Sequence, residues 1–479
     1  MLTRMMGMRA QGFAFLTRRA RLSNLDYTGP QALRSGPAPS AGRTQSLPLY
    51  SSFRCPRITK PLTTILLILL TSMSANAYSV LTHEQIVDLV WKDQIVPLLR
   101  KRFPQATGDD LRKAHAYAYG GSVLQDMGYY PFGNKLFSDL THYVRTGDFV
   151  AALIRDSSDI NGYAFALGTL AHYVSDNTGH PTINRTVAIE FPKLRRKFGD
   201  MVTYEDNPKA HIRTEFGYDM VQVAKNRYTN DRFHDFIGFE IDKLLLERSF
   251  LEIYGLRLSD VVGTEDLAIG TFRRAVSKVI PEMTRVGLVA RKKEMVKEDP
   301  TFNKKKFLYL LSRGNYEKEW GKGYRRPGLG TRILAFFLRV VPKVGPFSAL
   351  QFKIPSTQTE DLYIESVDNT VAQYRAYLRQ AQRPELHLEN TDCDTGKIAS
   401  FGEYRLSDAT YANLLDKLTD RNFDQVSSEL RANILHYYEG ATEPASPAGN
   451  ARLETRVESQ IQRLKAHSAD PIDNPADHQ

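Results

Sequence analysis

The run AHYVSDNTGHP places His172, Asp176 and His180 at successive intervals of four residues. On a helix that spacing sets an imidazole, a carboxylate and a second imidazole along one face. Zinc takes imidazole nitrogen and carboxylate oxygen as donors, so the stripe reads as metal-binding. A second pair at the same spacing, His211 and Glu215 in HIRTE, follows downstream. Seven of the chain's 11 histidines fall between positions 83 and 234. With His83, Asp126 and His142 the candidate donors become His83, Asp126, His142, His172, Asp176, His180, His211 and Glu215. That set exceeds the needs of one ion. About four protein ligands serve a structural zinc and about three a catalytic one, so the set suits two or three zinc ions sharing a bridging carboxylate.

Neighbouring residues have plainer readings. His115 and His234 read as ordinary core or surface groups. Asp139, three residues before His142, is either an acceptor for an imidazole N–H or a solvated or capping acid. Glu84 points to another side of the helix from His83, toward the surface or a supporting role. Tyr129, Tyr130 and Phe132 either line a substrate cleft or belong to the core.

The elements that must position these donors are helical. THEQIVDLVWKDQIVPLLRKRF, DLRKAHAYAYGG, GDFVAALIRDS, INGYAFALGTLAHYVSDNTG, AHIRTEFGYDMVQVAKNRY and DFIGFEIDKLLLERSFLEIYG repeat apolar residues near a 3.6-residue period. No alternating strand pattern competes with them. Thr82 or Thr107, each with acidic residues after it, and the pair Gly120–Gly121 supply helix boundaries. Further helices are expected at 265–290, 303–313, 330–341, 359–381, 406–419 and 422–438. The expected fold is all-α: a multi-helix bundle enclosing a multinuclear zinc site over 78–255, with a helical C-terminal extension over 256–440. The stretch 441–479, rich in Pro, Ala and Ser without a clear apolar face, reads as a disordered tail.

At 479 residues, with 10% aromatic and 25% charged residues, the chain is globular rather than fibrous or wholly disordered. Its formal charge of +10 does not mark a polyanion-binding protein, because residues 1–60 carry ten Lys/Arg against one acidic residue, Asp26. Those residues, rich in Arg, Ser, Pro and Gly, read as a disordered leader or a mis-assigned translation start. From 57 to 77 the chain passes from basic residues through PLTTILLILL to Ala75-Asn76-Ala77, the layout of a secretory signal cleaved before Tyr78. A retained signal anchor is the other reading, but this apolar core is shorter than the about 20 residues that span a bilayer. The expectation is therefore an exported protein, periplasmic or secreted. Cys55 leaves with the leader, so Cys393 has no partner for an internal disulfide.

The ordered motifs THE, GGSVLQD, SDLTHY, LAHYVSDNTGH and HIRTE resemble those of the zinc-dependent bacterial phospholipases C. They resemble more distantly the single-strand-specific zinc nucleases that share the same helical fold. The resemblance covers roughly residues 78–230. It implies one zinc held by Asp126, His142, His172 and Asp176, a second by the amino terminus of Tyr78, His83 and the bridging Asp176, and a third by His180, His211 and Glu215. It also implies that the backbone amine and carbonyl of the first mature residue become ligands only after signal removal. Tyr78 stands where the family usually has Trp, and the Asp176–His180 interval is two residues shorter than the family pattern. The implied reaction is phosphodiester hydrolysis by a zinc-activated hydroxide, with Asp126 as general base as well as ligand.

The implied substrate is a phospholipid, met at a membrane surface. Residues 285–326 carry thirteen Lys/Arg against five acidic residues, followed by TRILAFFLRVVPKVGPFSALQF. Such a segment either docks on an anionic bilayer or forms a solvated helix followed by a buried one. Basic residues near aromatics also suit single-stranded nucleic acid, which keeps a nuclease or nucleotidase open as the alternative. A metal-stabilised surface-binding protein without catalysis is the remaining class.

Overall fold

The structure, a computed structural model, describes residues 80–224, 240–276, 352–383, 386–439 and 451–467. All belong to one compact unit, Ile58–Gln479. The leader, the signal segment, Tyr78, His234, the basic stretch 285–326 and the expected helices 303–313 and 330–341 lie outside the described residues.

Within that range the fold is all-α, apart from one two-stranded hairpin. The helices run α1 Val80–Val90, α2 Val96–Arg102, α3 Gly108–Ser122, α4 Lys135–Tyr143, α5 Thr146–Asp156, α6 Ile160–Glu190, α7 Pro192–Phe198, α8 Pro208–Ala224, α9 Lys243–Tyr254, α10 Leu258–Val262 and α11 Glu265–Arg274. A π-helical turn, Trp91–Ile95, joins α1 to α2, and a 3-10 turn, Leu124–Tyr129, carries Asp126. Then come α12 Thr357–Gln380, the antiparallel pair β1 Thr391–Asp392 and β2 Lys397–Ile398, and α13 Arg405–Asp420, α14 Ser428–Glu439 and α15 Ala451–Ala466. No helix among the described residues is long and apolar enough to cross a membrane.

Local chemistry sets the helix ends that matter here. Thr107 caps α3 as expected: its Oγ1 accepts from Asp110 N, and Asp110 Oδ2 accepts from Thr107 N in return. Thr82 does not cap. It lies inside α1, and its hydroxyl donates to Asp219 Oδ1 of α8 at 2.7 Å. Gly120–Gly121 does not end α3 either, since the helix runs on to Ser122. The pair serves close packing instead. A Cβ at 121 would stand 2.0 Å from Phe165 O of α6, and one at 120 would stand 1.8 Å from Glu240 O. Gly168 of α6 answers from the other side, where a Cβ would be 2.0 Å from Ala118 O. Backbone-to-backbone contact between α3 and α6 thus fixes the helix that carries three of the eight candidate donors.

Asp159 starts α6 by accepting from Asn161 N and Gly162 N at 2.8 Å. The helix continues past Gly179 and Pro181 to Glu190. Pro181 has no N–H for the carbonyl four residues back, Asn177 O. The hairpin seats Gly396 against that carbonyl, where a Cβ would come within 2.4 Å.

One apolar cluster joins both parts of the chain: Phe137, Phe149, Phe165 and Leu170 pack with Tyr374, Leu378, Leu388, Leu414 and Leu430. The extension is therefore continuous in packing with the helices before 255. A smaller cluster around Ile183, Val187, Tyr218 and Tyr363 sits at the other end of α6. The expected disordered tail is corrected over 451–466, which forms α15. Its Ile461 and Leu464 join the main cluster, and Arg431 donates to the carbonyls of Leu464 and Lys465. An apolar i, i+3 pair between charged neighbours is enough to seat this helix once α13 and α14 supply a surface.

Candidate metal centre

Three groups of donors converge in the interior, each with ligand atoms within 4.8 Å of one another: His83, His172 and Asp176; Asp126, His142 and His172; and His180, His211 and Glu215. Every one of these residues is buried. Asp126 comes from the 3-10 turn, His83 from α1, His142 from α4, His172, Asp176 and His180 from α6, and His211 and Glu215 from α8.

The helix geometry explains why α6 serves more than one group. Four residues advance a helix by about 6 Å and eight by about 12 Å. His172 and Asp176 can therefore share a centre, whereas His180 stands a further turn away. Asp176 is the hinge of the arrangement. Its Oδ1 lies 3.6 Å from His83 Nε2, and its Oδ2 lies 3.3 Å from His142 Nε2 and 3.1 Å from His172 Nε2. The two oxygens of one carboxylate thus face two different donor groups.

The imidazoles are turned so that a lone pair points inward. His142 Nδ1 is 2.7 Å from Ser138 O, and His172 Nδ1 is 2.9 Å from Ser122 O. A carbonyl only accepts, so Nδ1 carries a proton in each ring and Nε2 is the nitrogen a metal would take, once deprotonated. The two Nε2 atoms face each other at 3.3 Å. With both deprotonated, the facing lone pairs repel unless something positive sits with them.

The rest of the set also calls for a cation. Both oxygens of Asp176, Oδ1 of Asp126, Oε1 of Glu215 and Nε2 of His180 and His211 are buried and make no hydrogen bond of acceptable geometry. Buried, unsatisfied carboxylates are costly without a compensating charge. Burial pushes Asp126 up to about 6, and lifts Glu215 well above the carboxylate range with the charges of Asp126, Asp176 and Asp394 adding to it. Burial opposes ionisation of Asp176 too, but the adjacent His172 and His180 charges outweigh it and hold that carboxyl well below its usual value. Imidazole and carboxylate donors, convergent and unsatisfied, fit zinc.

Residues 82–261 match the family model for zinc dependent phospholipase C. This part of the chain belongs to the zinc-dependent phospholipase C family. It is thus a phospholipase C-like zinc enzyme domain, of a hydrolase family. No curated protein and no solved structure matches the chain.

The shorter Asp176–His180 interval does not keep His180 from its group in this phospholipase C domain. His180 Nε2 is 3.9 Å from Glu215 Oε1, and His211 Nε2 is 2.7 Å from the same oxygen. The His180 and His211 rings meet edge to face. What the sequence reading missed is Asp394, in the hairpin turn between β1 and β2, whose Oδ1 lies 2.9 Å from His180 Nδ1. Burial pushes Asp394 up, but the adjacent His180, with a hydrogen bond from Tyr404, holds it at about 2. No periodicity or motif links Asp394 to the donor set; the one signal was the cluster of acidic residues Asp392 and Asp394 in NTDCDTG.

Other residues fall differently from expectation. Asp139 is not an acceptor for His142: it binds Lys135 Nζ at 2.5 and 2.7 Å, while His142 uses Ser138 O. Glu84 is fully buried rather than at the surface. His115 is an ordinary partly buried group, 2.9 Å from Asp88 Oδ1 and stacked on Trp91. Tyr129 and Tyr130 are buried, whereas Phe132 is 47% exposed. Cys393 is a buried free thiol.

Proposed function

We propose that this chain is an exported phosphodiesterase that hydrolyses phospholipids in phospholipase C fashion, using two or three zinc ions. The observation that carries the reading is Asp176, whose oxygens face His83 on one side and His142 and His172 on the other. His83 and Asp176, with the amino terminus of Tyr78, would hold one ion. Asp126, His142, His172 and Asp176 would hold another, and His180, His211 and Glu215 a third. Bound zinc supplies an ionised nucleophile near neutral pH and compensates charge on the phosphoryl oxygens.

The chain's own residues do the rest. Asp126, whose carboxylate lies 3.7 Å from His142 Nε2, would orient or deprotonate the attacking water as well as hold the ion. His142 and His172 are locked in orientation by Ser138 O and Ser122 O. Asp219 Oδ2 accepts from Leu81 N at 3.1 Å and so pins the start of α1 beside the donors. Tyr78 lies five residues before His83, a reach of at most about 18 Å of extended chain. Signal cleavage before Tyr78 would free an amine within chain reach of His83.

Parallel assays of the chain starting at Tyr78 on phosphatidylcholine vesicles and on single-stranded DNA test the substrate class. The reading expects release of phosphocholine and no nicking; nicking with intact lipid would replace it by the nuclease alternative.

A further inference from the structure

The family match ends at Val261, yet the donor set is in contact with a segment that begins 128 residues further on. Residues 389–396 lie across three donor-bearing or neighbouring helices. Tyr173 OH of α6 donates to Glu389 O at 2.7 Å, and Asp148 N of α5 to Asn390 Oδ1 at 3.0 Å. Thr146 Oγ1 donates to Thr391 O, and Cys393 N donates to the carbonyl of His142 itself at 3.0 Å. Asn184 Nδ2 of α6 donates to Asp394 O at 2.8 Å. A segment tied at this many points has little freedom to place its side chains elsewhere.

The side chain that it places is Asp394, buried to 2% exposure. Tyr143 OH and Tyr404 OH both donate to Oδ2, at 2.9 and 2.5 Å, which fixes the carboxylate and leaves Oδ1 facing His180 Nδ1 at 2.9 Å. In this rotamer Nδ1 makes no hydrogen bond of acceptable geometry with that oxygen; χ2 of histidine is a broad torsion, so a turn of the ring brings the N–H into line. A carboxylate accepts, so Nδ1 must carry the proton, and Nε2 becomes the basic nitrogen on the side of His211 and Glu215.

We infer that Asp394 is a positioning residue that sets the tautomer and direction of His180, so that the C-terminal part of the chain completes a metal centre whose ligands lie in the phospholipase C domain. The inference rests on the proposed zinc site at His180, His211 and Glu215. A carboxylate behind a ligating histidine raises the basicity of the coordinating nitrogen and is worth about 10–100-fold in metal affinity. It also gives the hairpin a role that packing alone does not need, since two tyrosine hydroxyls could be satisfied by a neutral amide.

The test is a zinc titration against a competing chelator on the full mature chain, comparing wild type, Asp394→Asn and Tyr173→Phe. Tyr173→Phe removes an anchor of the same segment without touching Asp394. The expected result is about 10–100-fold weaker binding of one zinc in Asp394→Asn, with the other ions unchanged. Tyr173→Phe should melt lower but titrate as wild type. A folded Asp394→Asn protein with the wild-type titration would overturn the inference. Should that variant not fold, ring-nitrogen NMR of the zinc-loaded wild type decides: coordination of His180 through Nε2 with the proton on Nδ1 supports the inference, and coordination through Nδ1 ends it. If wild type takes up no zinc at His180, the metal assignment itself fails and the inference goes with it.

Discussion

His172 Nε2 lies 3.1 Å from Asp176 Oδ2, one helical turn away on α6. A helix makes that pairing automatically at i, i+4. What turns it into part of a larger centre is that the second oxygen of Asp176 faces His83, from an element 93 residues earlier in the chain.

Asp176→Asn removes the charge shared by two donor groups while leaving the shape. We expect loss of at least one bound zinc and a fall in phospholipid hydrolysis of about 100-fold or more, the upper end of what even supporting residues contribute. Metal content and initial rates on the same preparation check it, and a variant with full zinc and full rate would show that Asp176 bridges nothing.

Asp126→Asn separates binding from proton transfer. General-base catalysis contributes about 10²–10⁴-fold, so the rate should drop by that order even in protein saturated with zinc. Unchanged hydrolysis with retained zinc would remove Asp126 from the base role.

Zinc uptake should release protons. In the metal-free protein burial raises Asp126 to about 6, and burial with neighbouring carboxylates raises Glu215 well above its usual range. Ligands must be deprotonated to bind, so as pH falls through 6 protons compete at Asp126 and apparent zinc affinity declines. Calorimetry in buffers of differing ionisation enthalpy should show proton release at neutral pH, and more near pH 5, with weaker binding there. An affinity that does not change between about pH 5 and 8 would contradict the assignment of these carboxylates as ligands.

Gly168→Ala tests whether the close crossing of α3 and α6 holds the centre in place. The new Cβ would meet Ala118 O at 2.0 Å, so backbone must shift. Overpacking of this kind costs about 1–3 kcal/mol, to be read from denaturant melts. We expect weaker zinc retention alongside it, because His172 on α6 takes its orientation from Ser122 O on α3.

The donor set was legible in the sequence because helices convert spacing into position. His172, Asp176 and His180, and likewise His211 and Glu215, announce themselves at four-residue intervals. The all-α class followed from the same periodicity. What escaped was set by tertiary contact. Thr82 has the look of a cap, but its hydroxyl is claimed by Asp219, and Gly120–Gly121 looks like a helix stop until Phe165 O and Glu240 O are brought against it. Asp394 sits in a hairpin turn 214 residues beyond His180, where no pattern in the intervening chain relates the two. The amphipathic pair Ile461 and Leu464 was too short to outweigh the polar composition around it.

The central claim is a shared, multinuclear metal centre, and the most direct measurement is the zinc content of purified protein beginning at Tyr78. Elemental analysis after exhaustive dialysis should find two or three zinc ions per chain. Fewer than two tightly held ions would contradict the account.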